Sequence, residues 1–114
     1  MFNIEFYDLP NGKKPVEIFL DSLNKNMRAK ALASIDILAQ IGNTLREPYS
    51  KHIGNGLFEL RIKFASDISR IFYFFYVDNK IIVTNGFIKK TQKTPPNEIK
   101  LAMKYKAEYE GRNL

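Results

Sequence analysis

The residues with most to offer chemically are cations. Arg61 and Lys63 alternate along the apolar run 57–64, Arg70 stands at the head of a second apolar run, and Lys89, Lys90 and Lys93 crowd a short connection that also holds Thr91 and Thr94. Strand alternation puts Arg61 and Lys63 on the face opposite Phe58, Leu60, Ile62 and Phe64. Arg70 lies between Ser69 and the run Ile71-Phe72-Tyr73-Phe74-Phe75-Tyr76, where a charge needs a partner or a solvent-filled site. A salt bridge to Glu59 or Asp67 is one reading of it, and a place on an anion-binding face is the other. Six basic residues from two strands and one loop can reach one surface, and this convergence points to a polyanion. If Arg70 shares the face of Arg61, then Phe72, Phe74 or Tyr76 lines the same surface. The other register offers Tyr73, and Phe87 precedes the lysines. Such rings stack on bases.

Other chemistries lack their parts. The chain has no cysteine and one histidine, His52, so the donor set of a transition-metal site is missing. There is no Gly-rich phosphate loop, no nucleophile elbow, and no pair of carboxylates that stands out for metal or acid–base work. Catalysis on a nucleic acid would then be metal-free and run by Lys, Arg and Tyr. RNA permits this, because its 2′-hydroxyl can attack the adjacent phosphodiester given a base, in-line positioning, charge stabilisation and an acid. A lysine crowded by other cations has its charged form disfavoured and becomes a better base. Arginine can stabilise the phosphorane. DNA has no internal nucleophile, so such a site favours RNA.

The elements that must position these groups can be read from periodicity. Phe2 to Tyr7 alternates as a half-buried strand. Pro15 opens a helix with Val16, Phe19, Leu20 and Leu23 on one face. Asn24 or Asn26 breaks it and caps a second helix carrying Met27, Ala31, Leu32, Ile35, Leu38 and Ala39, which Gly42 ends. Residues 43–56 read as a loop with the turn signal Gly54-Asn55-Gly56. Three strands follow, over 57–64, 68–77 and 80–88, with Asp78-Asn79 as a hairpin turn. Thr94 is expected to cap a last helix that has Pro95 at its first position. The order β-α-α-β-β-β-α predicts an α+β domain: a small, mostly antiparallel sheet, an N-terminal helical hairpin and a C-terminal helix. The helices are expected to cover one sheet face and leave the other partly open.

With 114 residues the chain suits one domain, 1–114, with a single core. Its formal charge of +6 is uneven. Positions 1–57 hold 7 basic and 6 acidic residues, whereas positions 58–114 hold 11 and 6. The N-terminus lacks the basic and apolar regions of a signal peptide, and no apolar stretch approaches the roughly 18 residues of a membrane span. Together with the absence of cysteine, this sets the expectation of a cytoplasmic protein.

Three segments in order carry a family resemblance: Leu57-Phe58-Glu59-Leu60-Arg61, Ser69-Arg70-Ile71-Phe72-Tyr73, and Gly86-Phe87-Ile88-Lys89-Lys90-Thr91-Gln92-Lys93-Thr94-Pro95. In this the chain resembles toxins of type II toxin–antitoxin systems, in the phage-derived, HigB-like branch of the RelE/ParE superfamily. The resemblance implies a RelE-like fold and ribosome-dependent cleavage of mRNA that inhibits translation. It also implies neutralisation by a cognate antitoxin, often a helix-turn-helix DNA binder. By the same resemblance Arg61, Lys63, Arg70, Lys89 and Lys90 match basic residues of the family and form the candidate catalytic set; the residues themselves offer Lys93, Thr91, Phe87 and Tyr73 as RNA contacts, and no cofactor is expected. Lys63 or Lys89 would be the base, Arg61 and Arg70 would hold the phosphate, and Lys90 and Lys93 would position the message. Some relatives carry a catalytic tyrosine after the last strand, where this chain has Phe87. Within the same superfamily a non-enzymatic, ParE-like inhibitor of DNA gyrase is the alternative, and a phage accessory RNA-binding protein is a third.

Overall fold

A computed structural model describes residues 1–90 and 92–113. The chain runs β1 (Asn3–Phe6), α1 (Pro15–Ser22), α2 (Lys25–Ile41), a 3₁₀ turn (Gly42–Thr44), β2 (Ser50–Gly54), β3 (Leu57–Phe64), β4 (Asp67–Tyr76), β5 (Lys80–Ile88) and α3 (Pro96–Arg112). The strands form one mixed sheet in the order β1-β5-β4-β3-β2. Only β1 pairs in parallel, with β5; the other neighbours are antiparallel.

The two N-terminal helices form where periodicity puts them. Pro15 occupies the first turn of α1, and the Asn24 side chain accepts the Met27 N–H at 2.8 Å, capping α2. Gly42 ends α2 with φ 51°, and a Cβ there would lie 2.0 Å from the Phe2 ring. The expected hairpin is placed differently. Each helix packs mainly on the sheet, α1 over β5 and α2 over β3, with little contact between the two. Their apolar stripes, including Val16, Leu20, Met27, Ala31, Ile35 and Leu38, meet Leu60, Ile62, Ile71, Tyr73, Ile81 and Val83 in the main core.

The other sheet face is not left open along its length. Helix α3 crosses it, burying Leu57, Phe72, Phe87 and Ala102 in one cluster and Tyr7, Phe74, Ile82 and Tyr109 in another. This is why β4 is apolar on both sides, as a strand between two helical layers must be. Two further expectations are corrected. Residues 50–54, read as loop, are the edge strand β2. It is short, without clean alternation, and irregular between His52 and Gly54. Helix α3 starts at Pro96 with Pro95 as its cap, and Thr94 does not cap it. The Thr94 hydroxyl instead donates to Glu59 Oε1 at 2.7 Å.

Candidate functional site

Strand register assembles the cations. Cα partners on adjacent strands point to the same face, so each pairing fixes a row of side chains. One row on the α3 face is Lys51, Glu59 and Phe72. The next is Arg61, Arg70 and Phe87. The third pairs Lys63 with Ile68, and Lys89 donates its backbone N–H to the Ile68 carbonyl at 2.9 Å. Arg61 and Arg70 therefore face each other on neighbouring strands, as one of the two registers required. Helix α3 begins beside this patch, since Thr94 reaches Glu59. The helix covers Phe72 and Phe87 in these rows and, farther along β3, Leu57, whereas Lys63 at the other end of β3 is exposed.

Glu59 is the hub. Its side chain is 1% exposed, with Oε1 at 3.3 Å from Arg70 Nε and Oε2 at 3.8 Å from Arg61 Nε. Both Nε groups are buried and make no hydrogen bond among the described residues. They are ion-paired, but their donors are not in hydrogen-bonding geometry. Arg61 also lies 3.7 Å from the exposed Glu47 carboxylate. Burial pulls the Arg70 guanidinium below its ordinary value; Glu59 opposes the shift and Arg61 adds to it. Lys89 is likewise lowered, first by burial and then by Arg70, against the pull of Glu59, with Arg61 and Lys51 contributing further. One carboxylate thus stands among four cations, Lys51, Arg61, Arg70 and Lys89. The excess positive charge is held in a partly dry setting, where a phosphate gains most.

The remaining sequence-derived candidates divide. Lys63 is exposed at the open end of the same strand face, and Lys90 and Lys93 are exposed beyond β5. Thr91 lies outside the described residues. Tyr73 is corrected: it projects into the main core, 1% exposed, with its hydroxyl hydrogen-bonded to Ser50. Phe87 is corrected too, since it is buried under α3 and stacked on Phe72 at 5.7 Å between centroids. Neither ring is accessible to a base. Phe72 and Phe74 share the Arg70 face but are fully buried beneath the same helix. His52 pairs with Phe58, on the row facing away from Glu59. Periodicity does not reveal Lys51, because residues 50–54 lack the clean alternation of a strand. The position of Lys51 directly across from Glu59 becomes visible only once β2 is paired.

Residues 18–107 match the family described as Phage derived protein Gp49-like (DUF891). The chain belongs to this Gp49-like family. The family is associated with the toxins of toxin–antitoxin systems. A search of curated proteins gave no match. The match begins within α1 and ends within α3, so it spans every strand that builds the cationic rows of this Gp49-like protein. No helix among the described residues is long and apolar enough to cross a membrane.

Proposed function

We propose that this Gp49-like protein is the toxin of a type II toxin–antitoxin system, of the HigB-like, RelE-related kind. In this reading it is a metal-independent endoribonuclease that cleaves mRNA on the ribosome and is held inactive by a cognate antitoxin. The observation that carries the reading is the facing pair Arg61 and Arg70 on one buried carboxylate, with Lys89 depressed beside them.

Each residue then has a task. Arg61 and Arg70 bind the scissile phosphate and stabilise the charge that builds on its oxygens. Lys89, whose charged form is disfavoured, takes the proton of the 2′-hydroxyl. The 2′-oxygen bonds to phosphorus and the bond from phosphorus to the 5′-oxygen breaks. Lys63, across Ile68 from Lys89, gives a proton to the departing oxygen. The products are a 2′,3′-cyclic phosphate and a 5′-hydroxyl. Lys51, Lys90 and Lys93 attract and align the neighbouring phosphates. Because α3 and the core occupy the aromatic rings of the sheet, the site holds RNA by its backbone and leaves base contacts to the β3 edge.

A translation reaction with ribosomes, run beside a gyrase supercoiling assay, tests the assignment. New mRNA ends that require ribosomes, with supercoiling intact, are expected. Inhibited supercoiling with intact mRNA would replace this reading with a ParE-like one, and RNA binding without either effect would leave an accessory RNA-binding protein.

A further inference from the structure

The β3 edge has a feature that the phosphate site does not use. Strand β2 pairs with β3 only as far as Leu60, and beyond it the Arg61 N–H is taken by the Tyr49 carbonyl at 2.8 Å. Two cavities, of about 400 and 430 Å³, meet along this edge and share Ser34, Ile37, Tyr49 and Arg61 as walls. The second also reaches Lys63 and Arg70, so it runs into the cationic rows. The first is walled mainly by the apolar groups Ile37, Ile41, Leu45 and Leu60, with Arg46 and Glu47 at its rim. Tyr49 is 63% exposed and Ile37 is 49% exposed, an unusual pairing of bare apolar surface with an arginine cluster.

We propose that this groove is the subsite for one nucleobase of single-stranded RNA. The base stacks on the Tyr49 ring against Ile37, and the phosphate attached to its nucleotide lies on Arg61, Lys63 and Arg70. The inference rests on the reading of the cationic rows as an RNA site and adds where the adjoining base goes. Charge sets the direction. The end toward Lys63 and Arg70 is cationic and takes the phosphate, whereas the end toward Ile41, Leu45 and Leu60 is apolar, its one carboxylate, Glu47, standing beside Arg46 and paired with Arg61. A ligand that is anionic at one end and flat and apolar at the other fits both. Stacking needs an accessible ring, and Tyr49, which lines both cavities, provides one on the groove wall.

The test uses the full chain and an RNA hexanucleotide whose 2′-hydroxyls are methylated to block cleavage, compared with the same strand carrying one abasic nucleotide. Wild-type protein is expected to bind the base-bearing strand more tightly than the abasic one. Tyr49→Ala is expected to weaken binding of the base-bearing strand by about tenfold and to abolish the difference between the two strands. Tyr49→Phe keeps both the affinity and the difference. Tyr49 is exposed, so its removal leaves the core intact, and circular dichroism of the variants confirms this. If Tyr49→Ala binds both strands as wild type does while Lys89→Ala binds them weakly, the base slot is overturned and the phosphate site stands. If wild-type protein binds neither strand, the slot is overturned, while the cleavage reading, which requires ribosomes, stands or falls on the translation reaction.

Discussion

At the scale of single residues, Glu59 and Arg70 cannot be tested one at a time. Removing Arg70 takes away the closest cation from a carboxylate that is 1% exposed. Arg70→Ala is therefore expected to abolish cleavage and also to cost about 3 kcal/mol of stability, read from urea unfolding. The double variant Arg70→Ala with Glu59→Gln should recover most of that stability and none of the activity. Recovery of cleavage along with stability would show that Arg70 is structural only. Lys89 gives a second prediction. Its folded value lies below the ordinary 10.5, so the folded state holds its proton more weakly than the unfolded chain does. Between the two values the unfolded chain binds more protons, and stability must rise with pH in that window. Lys89→Met should thus be more stable than wild type at neutral pH, with the advantage vanishing as pH approaches 10.5. Cleavage by wild type should rise with pH up to the lowered Lys89 value and then level off. A Lys89→Met protein that still cleaves would remove Lys89 from the role of base.

At the scale of elements, the sheet was legible in part. Alternation in 57–64 and the two-sided apolar run of β4 point to both strands, Gly42 marks the end of α2, and of the two candidate caps, Asn24 and Asn26, the helix uses Asn24. What alternation could not supply was the second covering layer. Glu59, Arg61 and Lys63 look like a solvated face by pattern, yet Glu59 is buried because α3 returns over the sheet and Thr94 closes on it. The same return explains why Phe87 and Phe72 are core. β2 was hidden because an edge strand of five residues has only one neighbour to impose a pattern. Gly86, within the matched motif, has a packing role: a Cβ there would lie 2.4 Å from the Phe19 ring of α1 and 3.0 Å from the Arg70 carbonyl. Gly86→Ala is expected to destabilise by about 1–3 kcal/mol in thermal or urea unfolding, from overpacking between α1 and β5. Unchanged stability would mean that α1 is not seated as closely as described. The far end of α3 is held separately, by the Tyr7 hydroxyl on Glu108 and by Arg112 on Asp8 at 2.7 Å. Burial, then the hydrogen bond and the charge of Glu108, push Tyr7 up to about 12. A raised value means that this group stabilises the fold fully below pH 10 and loses its contribution as pH rises through about 12. Hydrogen exchange of α3 amides should accelerate over that range in wild type, and less so in Tyr7→Phe.

At the scale of the whole molecule, the charge imbalance between the two halves of the chain is resolved by topology. The basic second half supplies β3, β4, β5 and the connection to α3, and the register of those strands gathers its cations at one end of the sheet. The first half adds Lys51 from β2 and the groove wall from α2 and Tyr49, which no count of charge by segment reveals. Binding of RNA should accordingly weaken steeply with salt, because several phosphates displace counterions together. A salt-independent affinity would argue for a different ligand. If this cluster breaks RNA by attack of the 2′-hydroxyl, as proposed, the chemistry of the fragment ends records it. In a ribosome-containing translation reaction, the purified chain is expected to leave mRNA fragments with a 2′,3′-cyclic phosphate on one side of the break and a 5′-hydroxyl on the other. Lys89→Met, folded and stable, should leave the message whole. Fragments bearing a 5′-phosphate, or intact mRNA with the wild-type chain, would contradict the account.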